Sequence, residues 1–303
     1  MKVLITGSTG LVGSSLVSEL RQAGHTVCRL IRPVGSARVV RTTAGFDVSW
    51  DPATGELGAA AVGADAVVNL AGASIANGRW TKGRKDLLRS SRVDTTRVLV
   101  QALSRMAARP RVLVSASGIG YYGSRGDETL NEQSAPGNDF LSDLSKDWEA
   151  QALNAEAMGV RVVCLRFGIV LARDGGALPK MVRPFRLGVG GCLGSGRQWM
   201  SWVALEDVVA IVRLALENGT MHGPLNVVSP QPARNSDFTS CLARVLHRPA
   251  LFPAPAFALR IVLGEMADGL LLASQRVEPA RLKKLGYQFL QPELEAALRA
   301  ILV

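Results

Sequence analysis

The densest group of chemistry-bearing positions lies at the amino end, in Gly7-Ser8-Thr9-Gly10-Leu11-Val12-Gly13, directly after the apolar run Val3-Leu4-Ile5-Thr6. Glycines in such a turn permit left-handed backbone and let N–H groups approach a diphosphate, which then meets the positive end of the following helix. The spacing is G-x-x-G-x-x-G rather than the commoner G-x-G-x-x-G of dinucleotide sites. Gly7, Thr9, Gly10, Leu11, Val12 and Gly13 are therefore candidate cofactor contacts. The end of the next strand decides between cofactors, because an acidic residue there favours the ribose hydroxyls of NAD and a cation favours the 2′-phosphate of NADP. Ile31 and Arg32 occupy that end, with Arg29 and Arg38 nearby. Arginine's planar fork of donors suits a phosphate, so the expected cofactor is NADP.

Positioning such a turn requires alternating strands and helices. Leu11, Val12, Leu16, Val17 and Leu20 recur at helical spacing as far as Gly24, so a helix follows the turn. Strands are expected over 25–31, 66–70, 111–115 and 160–165, with helices over 84–108 and 144–158 between the later ones. The strand runs are apolar on both faces, as parallel strands between helix layers must be. Sustained βαβ alternation predicts an α/β fold, a Rossmann doubly wound parallel sheet with right-handed crossovers. Beyond Leu171 the pattern becomes irregular and rich in glycine and proline, which predicts a long functional loop segment. A helix over 205–218, a strand over 225–228, a helix over 237–246 capped by Asn235 or Ser236, an extended linker over 249–255 and a helical end follow. The division expected is a nucleotide-binding domain over 1–172 with parts of 200–230, and a small, mainly substrate-side region over 173–303.

With these elements in place the chain resembles a known group. The glycine motif, Asn69-Leu70-Ala71-Gly72, Arg79-Trp80, Ser91-Arg92-x-x-Thr95, the stretch Ser115-Ala116-Ser117-Gly118-Ile119-Gly120-Tyr121-Tyr122-Gly123, and the segment from Pro184 through Gly190-Gly191 to Arg197-Gln198 and Ser201-Trp202 are similar to atypical extended short-chain dehydrogenase/reductases, the epimerase-family proteins related to NAD-dependent epimerases and dehydratases. The similarity covers essentially the whole chain, through Gln275-Arg276-Val277 and Gly286-Tyr287. It implies that Leu70, Ala71 and Gly72 line the adenosine side of the cofactor, and that Arg92 serves the cofactor or a substrate anion. Lys85, Arg89 and Arg92 also share one helical face, which a solvated basic stripe explains equally well.

One departure from the group bears on catalysis. Short-chain dehydrogenases use Tyr-x-x-x-Lys, in which the ammonium lowers the phenol's pKa so that it can shuttle a proton. The residues four beyond Tyr121, Tyr122 and Tyr287 are Arg125, Gly126 and Gln291, and the stretch 139–146 that should supply the pair carries apolar residues where the tyrosine belongs. The remaining catalytic candidates are Ser117, which follows a strand where a substrate-orienting hydroxyl is expected, and Tyr121 or Tyr122 as replacement acid. Lys146 reads as a solvated surface residue. Ala73 and Ala204 stand where relatives often carry Glu and His. Lys180, Arg183, Arg186, Arg197 and Gln198 in the glycine-rich segment suit an anionic or nucleotide-linked substrate, and Trp199 and Trp202 are apolar anchors within it.

Composition narrows the class. The 303 residues are 48% hydrophobic and 20% charged, enough apolar material for a large core. No apolar run reaches the ~18 residues that span a bilayer, and Met1-Lys2 leads straight into a strand with no leader-like apolar segment, so a cytoplasmic protein without membrane contact is expected. Cys28, Cys164, Cys192 and Cys241 are scattered, and with His25, His222 and His247 they show no ligand spacing, so no metal site is expected. A net charge of +10 raises nucleic acid as a partner, but the cations form no block interleaved with aromatics. The expected partner is a small-molecule substrate, with a homodimer carried by analogy to the superfamily. The leading reading is an NADP(H)-dependent oxidoreductase or epimerase acting on an unknown carbonyl or sugar compound; the rival is an NADP(H)-binding sensor or regulatory protein that has lost catalysis.

Overall fold

The computed structural model describes residues 1–31, 39–42, 45–52, 54–58 and 61–303. β1 (Lys2–Thr6) leads into α1 (Leu11–Gln22), then β2 (Thr26–Ile31), β3 (Val39–Thr42), β4 (Gly45–Ser49) and β5 (Ala66–Asn69). α2 (Lys82–Arg89) and α3 (Thr95–Ser104) are joined by a π-helical turn over Ser90–Asp94. β6 (Val112–Gly118), the short β7 (Thr129–Leu130), α4 (Phe140–Leu153), β8 (Arg161–Phe167) and β9 (Ile169–Leu171) follow. The remainder comprises α5 (Leu178–Arg186), β10 (Trp199–Met200), β11 (Trp202–Ala204), α6 (Leu205–Glu217), β12 (Gly223–Val227), β13 (Ala233–Arg234), α7 (Asn235–Leu246), α8 (Ala256–Leu263), β14 (Arg276–Val277), α9 (Ala280–Lys284) and α10 (Leu294–Leu302).

Eight strands form the main sheet in the order β12-β8-β6-β5-β1-β2-β4-β3, and every pair is parallel except β3 with β4. The fold is therefore Rossmann-like α/β. Its strands bury both faces because their residues alternate between two helix layers. Val3 and Ile5 pack with Leu16 and Leu20 of α1 and with Val208 and Ile211 of α6, while Leu4 packs with Val67 and with Leu99 and Leu103 of α3. Strand order reverses at β1, which has β2 on one side and β5 on the other, so the carboxyl ends of β1 and β5 open into the crevice where such sheets bind ligands.

Three local expectations are corrected. The stretch after Leu171 is not irregular throughout: 178–186 is helical, with Pro179 in the first turn, where no N–H is required, and Leu178, Val182 and Phe185 on its buried face. A second proline, Pro184, inside nine residues hid that periodicity. α4 begins at Phe140 rather than 144, because Asp139 caps it by accepting from the Ser142 N–H at 2.9 Å. α7 has Arg234 as its N-cap and no side-chain cap; Asn235 instead accepts from the Leu193 N–H at 2.8 Å. α5, α7 and α10 enclose a separate apolar cluster with Phe238 and with Leu171 and Trp202 from the two-stranded sheet of β9 and β11. No described helix is long and apolar enough to cross a membrane.

Candidate functional site

The glycine turn owes its shape to close backbone approach. Gly7 has φ +64°, and a Cβ there would lie 2.5 Å from the Leu70 carbonyl oxygen. A Cβ on Gly13 would lie 2.2 Å from the Gly7 carbonyl oxygen, so the first turn of α1 rests directly on the loop. The Gly10 N–H closes the turn on the Gly7 carbonyl at 3.0 Å. No side chain caps α1, which leaves its first-turn N–H groups and its dipole open to an anion. Thr9 and Gly10 are exposed, Leu11 and Val12 half-buried. Ser8 adds a buried hydroxyl with no hydrogen-bond partner among the described residues. The loop between β9 and α5 passes over this end, with Gly176 so close that a Cβ would meet Leu11 at 2.9 Å.

A polar network that sequence reasoning missed fixes the strand ends around the turn. Asn69 accepts from the Thr6 hydroxyl at 2.7 Å and donates to Thr96 at 2.8 Å and Ser115 at 3.2 Å; all four are buried. The Trp148 indole N–H completes it on Thr96 at 2.9 Å. Thr6, Asn69 and Ser115 are direct partners across β1, β5 and β6, so the network ties the ends of β1 and β5 to the middle of β6 in register. Leu70, Ala71 and Gly72 leave the sheet immediately beyond. On the other side of β1, Ile31 ends β2, whereas Arg32 and Arg38 lie outside the described residues. Arg29 is committed elsewhere, in a two-bond pair with the Asp47 carboxylate at 2.6 and 2.5 Å.

A cavity of about 370 Å³ opens beyond these strand ends. Its walls include Ser117 and Gly118 from β6, Leu141, Ser145 and Trp148 from α4, and Ile169 after β8. Leu141 and Ser145 stand at i and i+4, and neither is a phenol or an amine. Lys146 points to solvent and pairs with Asp143 at 3.2 Å. Of the three catalytic candidates only Ser117 lines the cavity. Its hydroxyl donates to Glu149 at 2.6 Å, so it does not have the free proton expected of a carbonyl donor. Glu149 is in turn held by the Arg166 guanidinium through two bonds of 2.8 Å, and Arg166 donates to the Tyr122 hydroxyl at 2.9 Å. Tyr122 is fully buried and donates to Asn226 at 2.7 Å. Burial pushes its hydroxyl up to about 12 despite Arg166, and Tyr121 lies with its ring 3.4 Å from the Arg166 guanidinium carbon. Both tyrosines thus brace a buried ion pair behind the cavity wall, and neither reaches the cavity as the replacement acid.

Arg92 does line the cavity. Its guanidinium donates to the Ala73 carbonyl at 2.9 Å and the Leu88 carbonyl at 3.3 Å and lies 5.2 Å from the Trp148 ring centre. Desolvation, reinforced by the charge of Arg84, lowers its pKa to about 10. The other two members of the basic stripe are neutralised, Lys85 by Glu265 and Arg89 by Asp147. The substrate-side cations are dispersed. Arg183, Arg186 and Arg197 are exposed and do not line the cavity. Lys180 donates to Ala76 and Asn77 at 3.1 and 3.3 Å, and Gln198 ties Leu193 to Leu271 through two bonds of 3.0 Å. Trp199 lines the cavity between Arg234 and Arg276, while Trp202 is wholly buried.

Residues 3–227 match the NAD dependent epimerase/dehydratase family, and residues 254–301 match a domain of unknown function, DUF1731. An epimerase family protein of Mycobacterium bovis is 41% identical over 290 residues, covering 95% of this chain and 93% of that protein. The epimerase family protein SDR39U1 of Homo sapiens is 37% identical over 305 residues, covering 99% of each. A crystal structure of human SDR39U1 (isoform2) with NADPH superposes with a TM-score of 0.88 at 36% identity, covering 99% of each chain.

Proposed function

The chain belongs to the NAD dependent epimerase/dehydratase family, and from that premise we propose that it is an NADPH-dependent oxidoreductase or epimerase for a small carbonyl or hydroxyl compound. The observation that carries this reading is the cradle at α1: two glycines whose Cβ atoms would strike backbone at 2.5 and 2.2 Å, and, among the described residues, no side-chain cap on the helix end and no partner for the buried Ser8 hydroxyl. A dinucleotide's diphosphate fits such a place, with Gly7, Thr9, Gly10, Leu11, Val12 and Gly13 around it. Ile31 and Arg32 would flank the adenosine ribose, with Arg32 on the 2′-phosphate, and Leu70, Ala71 and Gly72 its other side. The NADPH in the human relative supports the choice of cofactor. When bound, the nicotinamide supplies or accepts hydride. The chain's own contribution is to place a substrate beside it: the β6 and β8 ends and α4 form an apolar wall that excludes water.

A second reading, an NADPH-binding sensor without turnover, is favoured by one observation. The cavity-facing positions of α4 are Leu141, Leu144, Ser145 and Trp148, and no tyrosine is among the described residues that line the cavity, so none of these side chains can deliver a proton as a phenol does. Titration of wild type and Arg32→Ala with NADPH and NADH tests the cofactor assignment. Wild type should prefer NADPH at least tenfold and the variant should lose that preference; equal affinities that the substitution leaves alone would remove it. Hydride transfer to any carbonyl compound then separates enzyme from sensor.

A further inference from the structure

Building on the reading of an NADPH-binding pocket, we infer that the cavity takes a compact, mainly apolar molecule bearing one carboxylate, and that Arg92 recognises that carboxylate. Arg92 is the one charged side chain among the described residues that line the cavity. Of its five N–H donors, two are spent on the Ala73 and Leu88 carbonyls, and no carboxylate among the described residues pairs with it. A half-buried guanidinium on a cavity wall, with donors left over and no counter-charge among the described residues, is suited to receive an anion.

The fold is built to put it there. The π-helical turn over Ser90–Asp94 inserts an extra residue between α2 and α3, which turns the next side chains by about 100° relative to the Lys85 and Arg89 face. Gly72 makes room, since a Cβ there would lie 3.0 Å from the Arg92 guanidinium carbon. Trp148 backs the cation, and Thr96 fixes Trp148.

The rest of the lining limits the ligand's other parts. Leu141, Leu144, Met181, Leu193 and Met200 present hydrocarbon and thioether surface. Most polar side chains of the lining are engaged: Ser117 donates to Glu149, Ser201 to the Gln275 carbonyl, and the Gln275 amide to the Ile119 and Gly123 carbonyls, which leaves the Ser145 hydroxyl as a single further polar contact beside Arg92. A sugar nucleotide would bring a diphosphate and a polyhydroxylated ring into this space, leaving charge and hydroxyls without partners, a large cost. A single carboxylate meets Arg92 with two parallel bonds, and an alkyl or aryl body fills what remains. At about 370 Å³ the cavity is also near the lower end of roughly 300–1,000 Å³ for ligand pockets, and the nicotinamide must share it.

The test uses the full chain, first titrated with NADPH to establish occupancy, then with 4-phenylbutyrate, 4-phenylbutyramide and UDP-glucose, each with and without NADPH, followed by calorimetry. We expect 4-phenylbutyrate to bind at least tenfold more tightly than its amide, and UDP-glucose not to compete. Arg92→Gln should abolish the preference for the carboxylate, and Arg92→Lys should retain part of it. Equal affinity for acid and amide, competition by UDP-glucose, no binding of the acid at millimolar concentration, or loss of NADPH binding in Arg92→Gln would each overturn the inference. Failure of wild type to take up NADPH strikes the cofactor reading instead, while the cofactor-free titrations still decide the role of Arg92.

Discussion

Replacing Glu149 by Gln should destabilise the protein far more than its size suggests. Glu149 and Arg166 are 7% and 2% exposed, and the carboxylate accepts from Ser117 at 2.6 Å and from two Arg166 nitrogens at 2.8 Å. Burial by itself pushes the Arg166 pKa down, and the bonds to Glu149 more than reverse it, so the guanidinium stays charged. An amide keeps one oxygen for Ser117 and the Arg166 Nε but turns an NH2 towards the Arg166 Nη2, so donor faces donor and the buried charge loses its counter-ion. Breaking a buried pair in this way costs about 3–5 kcal/mol. With about 2.1 cal/mol/K of unfolding entropy per residue, each kcal/mol moves the midpoint of a chain this long by roughly 1.6 °C, so Tm should fall by about 5–8 °C. Urea unfolding followed by tryptophan emission measures the change, Trp148 being one residue from the substitution. The double variant Glu149→Leu with Arg166→Met removes both charges and should be more stable than Glu149→Gln by about 2 kcal/mol. A Glu149→Gln protein within 1 kcal/mol of wild type, or a double variant weaker than the single one, would refute this reasoning.

Gly13→Ala should weaken NADPH binding at least tenfold and lower Tm, because its Cβ would sit 2.2 Å from the rigid Gly7 carbonyl; calorimetric titration and a melt report both. Gly72→Ala, with its Cβ 3.0 Å from the Arg92 guanidinium carbon, should reduce 4-phenylbutyrate affinity several-fold while the melt changes little. The Tyr122 hydroxyl, raised by burial to about 12 from an ordinary 10, favours the folded state fully below pH 10, and that contribution is lost as pH rises through 12. About 1.4 kcal/mol should be gone by pH 11, so urea midpoints of wild type should fall between pH 9 and 11 more steeply than those of Tyr122→Phe; parallel slopes would contradict the assignment.

The parts of this molecule governed by local physics were legible in its sequence. The glycine turn announced itself because only a residue without Cβ fits where Gly7 and Gly13 approach backbone, and the two-sided apolar runs of β1, β5 and β8 required a sheet covered on both faces. What stayed hidden depends on distant pairing. Tyr122 meets Asn226 across 104 residues and Ser117 meets Glu149 across 32, so neither the bracing role of the tyrosines nor the commitment of the Ser117 proton follows from spacing along the chain. Arg29 looked available for a phosphate until the parallel pairing of β2 with β4 brought Asp47 beside it. Likewise, Lys85, Arg89 and Arg92 form a stripe on an ideal helix, and only the π-helical turn and the acids Glu265 and Asp147 separate Arg92 from the others.

The bare end of α1 should hold the diphosphate of a pyridine nucleotide whose nicotinamide enters the neighbouring cavity. A crystal structure of the protein grown with saturating NADPH tests it most directly. Phosphate density should lie against the N–H groups at Gly10 to Gly13 and a nicotinamide ring near Gly118 and Ile169; an empty turn in crystals grown at that concentration, or a nucleotide bound elsewhere on the molecule, would overturn that placement.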